Sequence, residues 1–286
     1  MATVLNQEEI KRFIHCALDE DMAGNDITTS LVIPDDLMME ALVQAREDGV
    51  LAGVDICRQV FLAINEGLEI DVYFQDGNRI KSGDTVARIC GRARDILRAE
   101  RTALNILGWM SGIATLTSQF VERVKGTGAV ICDTRKTKPT LRMFEKYAVK
   151  AGGGRNHRMN LADGVLIKDN HLNALRASGK NLGEIVAIAR KNAPEAIEVE
   201  AEVTSFDEAL QVADSGADII LLDNMLPDEM EKAVRAIGRR VKFEASGGIT
   251  LENVAEAAAT GVDYISIGAL THSAKNMDFS LEVAGY

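Results

Sequence analysis

Between residues 197 and 269 the chain repeats one unit. Apolar runs IEVEAEV (197–203), DIILLD (218–223), VKFEAS (241–246) and YISIGA (264–269) alternate with helical patterns at 205–215, 228–238 and 251–260. Glu202, Asp223, Ser246 and Gly268 stand at or just past the ends of those runs, 21, 23 and 22 residues apart. A strand followed by a helix of constant length brings the next strand back parallel to the last. Runs that are apolar at successive positions suit strands covered on both faces. Earlier runs AVICDT (129–134) and GVLIKD (164–169), with a further helix at 181–193, extend the series to six strands. A parallel barrel fits better than a doubly wound sheet. Polar residues close several different strands here, as they do on a barrel rim, whereas a doubly wound sheet gathers its ligand at one switch point.

The first third reads differently. Ile10, Phe13, Ile14, Ala17 and Leu18 predict a helix over 7–20, in which His15 is expected to be structural. Residues 21–36 read as loop, 38–47 and 49–53 as strands, and 54–67 as helix. Residues 69–91 read as strands joined by the turns Asp76-Gly77-Asn78 and Ser82-Gly83-Asp84. The pattern GNRIKSGDTVARICG is similar to the hairpins of biotinyl and lipoyl carriers, but their Met-Lys-Met or Asp-Lys-Ala tip is missing, so Lys81 is read as scaffold. Residues 95–128 predict two helices broken at Ser111-Gly112. The closing MDFSLEV predicts a strand returning to the first domain. The expected division is an N-terminal α/β domain over 1–111, joined by 271–286, and an α/β barrel over 112–270.

Charge is unevenly placed. The chain carries −11 overall, yet residues 133–171 hold nine Lys or Arg against four acids. One cationic segment in an acidic protein points to a small, multiply anionic ligand. Nucleic acid would need basic surface well beyond one segment. No apolar run reaches the ~18 residues of a spanning helix, and MATVLNQEEIKRF lacks a secretory core, so neither membrane nor export is expected and the cytoplasm is the default. Cys16, Cys57, Cys90 and Cys132 have no C-x-x-C spacing and read as small buried residues, with Cys132 alone near the basic segment.

That segment has three parts. Asp133-Thr134-Arg135-Lys136-Thr137 offers two cations and two hydroxyls after a strand; an arginine fork suits a carboxylate. Gly152-Gly153-Gly154-Arg155-Asn156-His157-Arg158 could bring backbone N–H groups up to an anion, or be a plain flexible loop. Lys168 closes a strand, where it could neutralise an anion or act as a Schiff-base amine. Glu198, Glu200 and Glu202 alternate along one strand and should share a face, a costly set unless paired or metal-bound. With Asp223 they suit Mg²⁺, and Ser246-Gly247-Gly248 and Gly268-Ala269 suit a phosphate.

Here the residues match a family. ITTSLVIP (27–34), ERTALNIL and SGIATLT (100–117), DTRKTKP through EKYAVKAGGGRNHRMNLADGVLIKDNH (133–171), EVEAE, IILLDN, EASGGI and GVDYISIGALTHS resemble the quinolinate phosphoribosyltransferases, or carboxylating nicotinate-nucleotide pyrophosphorylases. The resemblance runs nearly end to end. It implies an N-terminal α/β sandwich domain plus an incomplete parallel α/β barrel, working as a homodimer or higher assembly with a shared active site. It further implies that quinolinate and phosphoribosyl pyrophosphate, with Mg²⁺, become nicotinate mononucleotide, CO₂ and pyrophosphate in NAD biosynthesis. Carried over by motif, Arg135, Lys136, His157, Arg158 and Lys168 surround quinolinate, and Arg101 reaches the site from a neighbouring subunit. Thr134, Lys136, Glu202 and Asp223 serve phosphoribosyl pyrophosphate, Glu202 and Asp223 also its Mg²⁺, directly or through water. Ser246, Gly247, Gly248, Gly268 and Ala269 cradle its 5′-phosphate, and Lys168, Glu202 and Asp223 are the implied catalytic set. The chain departs at Thr140, where the family usually has glycine, and at Trp109-Met110. Two alternatives stand beside this reading: a molybdenum-transport-associated paralogue of the same fold, and a Schiff-base lyase using Lys168.

Overall fold

The computed structural model describes residues 6–175 and 179–284, so residues 285 and 286 of the expected returning segment lie outside it. The chain divides into two compact units. Unit 1 comprises residues up to Ser118, Lys138–Gly153 and the segment from Leu270 onward; unit 2 comprises Gln119–Thr137 and Gly154–Ala269.

Unit 1 begins with α1 (Gln7–Glu20), opened by Asn6, whose side chain accepts the Glu8 N–H and satisfies one of the free donors of the first turn. Ile10, Ile14 and Leu18 form its buried stripe, while His15 and Cys16 face outward, so Cys16 is not the small buried residue expected of it. The stretch read as loop holds α2 (Ile27–Val32), which Asp26 caps through the Thr29 N–H. Then follow β1 (Met38–Ala45), β2 (Gly49–Val50), α3 (Val54–Ile64), β3 (Glu69–Val72), β4 (Arg79–Ile80), β5 (Thr85–Arg92) and α4 (Ala93–Arg123). The chain adds α5 (Arg142–Ala151) and ends on β12 (Phe279–Val283). The main sheet runs β12-β1-β5-β3, every pairing antiparallel, and β2 pairs separately with β4.

The expected break at Ser111-Gly112 does not occur: α4 is one helix of 31 residues. Ser111 turns inward, its hydroxyl accepting the Ala52 N–H at 3.0 Å. Gly112 lets another strand of chain approach, since a Cβ there would sit 2.0 Å from the Lys275 carbonyl. Two small residues mark close packing here rather than a turn. Residues 111 and 112 lie within this helix, and compact unit 1 runs on along it to Ser118.

Thr140 explains its own oddity. Leu141 N–H donates to Lys138 O at 3.2 Å, closing the turn Lys138-Pro139-Thr140-Leu141, and Thr140 has φ +69°. A turn with proline second and positive φ third is of type II, which favours glycine at that third place. A β-branched residue there is strained by roughly 1–2 kcal/mol, partly offset by the roughly 0.5–1 kcal/mol that glycine loses in chain entropy. Thr140→Gly should therefore raise the thermal midpoint, by about 2 °C in a differential scan. A lower midpoint would mean that the threonine side chain contributes more than its backbone loses.

Unit 2 is built on β6 (Val130–Cys132), β7 (Val165–Ile167), β8 (Val199–Val203), β9 (Ile219–Asp223), β10 (Lys242–Ser246) and β11 (Tyr264–Ser266). All are parallel, in the order β6-β11-β10-β9-β8-β7. From β7 to β11 each strand lies beside its successor, and β6, first in the chain, pairs with β11, the last. That is the winding of a barrel left open between β6 and β7. The helices α6 (Asp169–Leu175), α7 (Leu182–Asn192), α8 (Phe206–Ala213), α9 (Pro227–Ile237) and α10 (Val254–Ala259) connect the strands, and the short α11 (Ala269–His272) follows β11. The repeat in the sequence becomes this ladder, and every strand end named from it lies on one rim. No described helix is long and apolar enough to cross a membrane.

Candidate active site

Cations gather in the segment between β6 and β7 of unit 2. Arg135 follows β6, and its Nε is buried without a hydrogen-bond partner. Arg158 lies near enough that burial first, and then the Arg135 charge, hold its guanidinium below the ordinary arginine value. Two guanidiniums in mutual repulsion, one with an orphan buried donor, are a poor arrangement for an empty pocket. They suit an anion. Lys136 is exposed beside them, with its N–H donated to Thr134 Oγ1 at 3.0 Å.

Lys168 follows β7 and meets Glu202 of β8 in an ion pair; their side chains are 41% and 11% exposed. Contact with a carboxylate suits a charge-neutralising lysine better than a Schiff-base amine, which needs its nitrogen unpaired. Asp223 ends β9 and accepts from Asn224 Nδ2 at 2.8 Å. Glu202 and Asp223 thus close neighbouring strands. Two carboxylates at one rim fit a divalent cation that keeps waters and phosphate oxygens as its other ligands. Glu198 does not join them: it precedes β8, is exposed and pairs with Lys242 at 3.6 Å.

Beyond β10 the backbone turns through Gly247 (φ +90°) and Gly248 (φ +61°). Successive residues of this kind bend the chain into a concavity of N–H groups. Asn224 fixes the concavity, since its N–H donates to Ser246 O at 2.8 Å. From the other side Asn253 Nδ2 donates to Gly248 O at 2.9 Å. Gly268 and Ala269 follow β11, the neighbour of β10. The run Gly152-Gly153, by contrast, makes no anion cradle. Gly152 and Gly153 donate their N–H groups to Ala148 O and Lys150 O, at 3.0 and 2.9 Å, and so end α5.

His157 lies deeper. Its Nε2 is 3.1 Å from Glu200 and 3.5 Å from Glu244, and the Arg158 N–H donates to its Nδ1 at 2.8 Å. Burial alone would depress the imidazolium, but hydrogen bonds to both carboxylates, and their charge, push it up to about 10. The Arg158 N–H works against that rise, because it bonds only an unprotonated Nδ1. In either ring state Nε2 carries a proton. Among the described residues His157, Glu200 and Glu244 are the one His/Cys/Asp/Glu group spaced for a metal ion. Without an ion the three side chains form a hydrogen-bonded array around the His157 ring.

Asp133, fully buried, accepts from Asn156 Nδ2 at 2.6 Å and from the His157 N–H at 2.9 Å, clamping the same loop. Cys132 is inert, its thiol pushed up by burial and by Glu244 and Asp133. Arg101 belongs to unit 1, on α4, with its side chain 64% exposed. Sequence reasoning missed Glu244. Its one signal is a carboxylate set between the apolar Phe243 and Ala245 at the middle of its strand.

Residues 26–111 match the family described as quinolinate phosphoribosyl transferase, N-terminal domain, and residues 113–282 match its C-terminal domain. A probable nicotinate-nucleotide pyrophosphorylase [carboxylating] of Bacillus subtilis is 37% identical over 279 residues, covering 98% of this chain and 95% of its own. The Mycobacterium leprae nicotinate-nucleotide pyrophosphorylase [carboxylating] is 42% identical, covering 94% and 95%. Among solved structures, NadC from Streptococcus pyogenes superimposes with a TM-score of 0.92 at 39% identity, covering 99% of both chains.

Proposed function

The chain belongs to the quinolinate phosphoribosyltransferase family, and from that premise we propose that it transfers phosphoribose from phosphoribosyl pyrophosphate to quinolinate with loss of CO₂. The product is nicotinate mononucleotide, a step of de novo NAD biosynthesis. The observation that carries the reading is the Arg135–Arg158 pair, like charges held together with an unpartnered buried donor. Arg135, Lys136, Arg158 and Lys168 then receive the two carboxylates of quinolinate. Glu202 and Asp223 face the ribose, and favour it as positive charge develops on the sugar. They would also hold Mg²⁺, which neutralises the departing pyrophosphate. Gly247 and Gly248, with Ser246, Gly268 and Ala269, receive the 5′-phosphate.

The order of events follows from the chemistry. Loss of CO₂ next to the ring nitrogen becomes easy once that nitrogen is made cationic, so ribosylation comes first. No protein nucleophile takes part, and positioning with electrostatics supplies the rate. The ion pair of Lys168 with Glu202 disfavours the lyase alternative. Isothermal calorimetry tests the site: quinolinate should bind about 10–100-fold tighter than nicotinate, which lacks one carboxylate. Equal affinities would remove the two-carboxylate reading.

A homodimer with a shared site is part of the proposal. Ile27, Leu31 and Val32 of α2 are 73%, 79% and 65% exposed, an apolar face suited to a second copy. Arg101 then acts in the neighbouring subunit. Mixing Arg101→Ala with Lys168→Ala under verified subunit exchange should restore activity through hybrid dimers; no recovery would place Arg101 in its own subunit or outside the site. Four free cysteines suit a reducing compartment, and we place the enzyme in the cytoplasm.

A further inference from the structure

Glu244 has no role in the reading above, yet it is 2% exposed and its Oε1 has no hydrogen-bond partner. Burying a carboxylate this far is unfavourable unless something gains from it. Its polar partner is His157 Nε2, which it shares with Glu200, 4% exposed and likewise left with an unpartnered Oε1. One acceptor would fix the direction of the Nε2–H bond. Two acceptors, on β8 and β10, together with the Arg158 N–H on Nδ1, fix the plane of the ring as well.

A fixed ring fixes what is tied to it. Arg158 is held at its N–H by His157 and at its guanidinium by the Gly164 carbonyl, 3.0 Å from Nη1. Like charges on Arg158 and Arg135 repel, and the Glu200 carboxylate offsets part of that repulsion. We propose that Glu244 and Glu200 are positioning residues for the quinolinate half of the site: they lock His157, and the locked ring keeps Arg158 beside Arg135 before substrate arrives. The claim rests on the proposed function. Such preorganisation strengthens binding without a new contact to substrate.

Glu244→Leu removes one acceptor, and Glu244→Gln keeps one in its amide oxygen. The leucine variant should raise KM for quinolinate about tenfold, the scale of one hydrogen bond to a charged group, with KM for phosphoribosyl pyrophosphate within about twofold. The glutamine variant should recover to within about threefold of wild type. Nitrogen-15 NMR of the His157 ring should report one fixed Nε2–H form in wild type and an averaged form in Glu244→Leu. Glu200→Leu carries the same expectation if the first variant does not fold. Both Michaelis constants rising together, or a ring signal unchanged in the leucine variant, would overturn the proposal. If the wild type turns over no quinolinate, the functional reading fails, and the ring spectra alone decide the positioning claim.

Discussion

Lys168→Ala should lower kcat/KM for quinolinate by about 100-fold. The first contribution is loss of a charged hydrogen bond to a substrate carboxylate, roughly 1.5–3 kcal/mol, or about 10–100-fold. The second comes from Glu202, whose side chain is 11% exposed and which Lys168 neutralises. Without the ammonium, an uncompensated carboxylate stands beside a substrate that carries two. Repulsion adds to the lost attraction, which places the effect at the upper end of the range. Lys168 is 41% exposed, so the folded state should survive with a modest fall in midpoint. Steady-state kinetics checks this, and activity within threefold of wild type would show that Lys168 is a structural partner of Glu202 and nothing more.

Gly247→Ala should act on the other substrate. Gly247 has φ +90°, and a Cβ would lie 2.4 Å from Asn224 Oδ1 and 2.5 Å from its Cγ. Asn224 cannot yield without consequence, because its N–H holds Ser246 O and its Nδ2 holds Asp223. One methyl thus disturbs both the phosphate concavity and an acid facing the ribose. KM for phosphoribosyl pyrophosphate should rise about 10–100-fold, while binding of quinolinate alone changes little. Gly238→Ala is the control: φ there is +67° and nothing lies within 4 Å of the added carbon, so it carries the backbone strain without the collision. Equal effects of the two substitutions on activity would contradict the argument.

Much of unit 2 was legible in the sequence because its signal is periodic. Strand ends that recur at near-constant spacing admit few topologies, and Glu202, Asp223, Ser246 and Gly268 all fell on the rim. Periodicity failed where packing overrides it. In α5 the charged Glu145 and Lys146 are fully buried beside Phe144, which hides the apolar stripe within a basic segment. Ser111-Gly112 read as a break because small residues mark both turns and close contacts, and composition alone does not separate them. The cation cluster was legible as charge density. The array beneath it was not: Glu200 and Glu244 come from strands two apart in the sheet, and each looks by itself like an ordinary alternating residue.

The central claim is that this site joins phosphoribosyl pyrophosphate to quinolinate and releases the carboxyl group next to the ring nitrogen. The direct measurement uses the purified chain with both substrates and Mg²⁺, with that carboxyl group carrying the label. Nicotinate mononucleotide, labelled CO₂ and pyrophosphate should appear in equal amounts, and none should form when either substrate is omitted. Pyrophosphate without nicotinate mononucleotide, or binding of phosphoribosyl pyrophosphate with no turnover of quinolinate, would contradict the account.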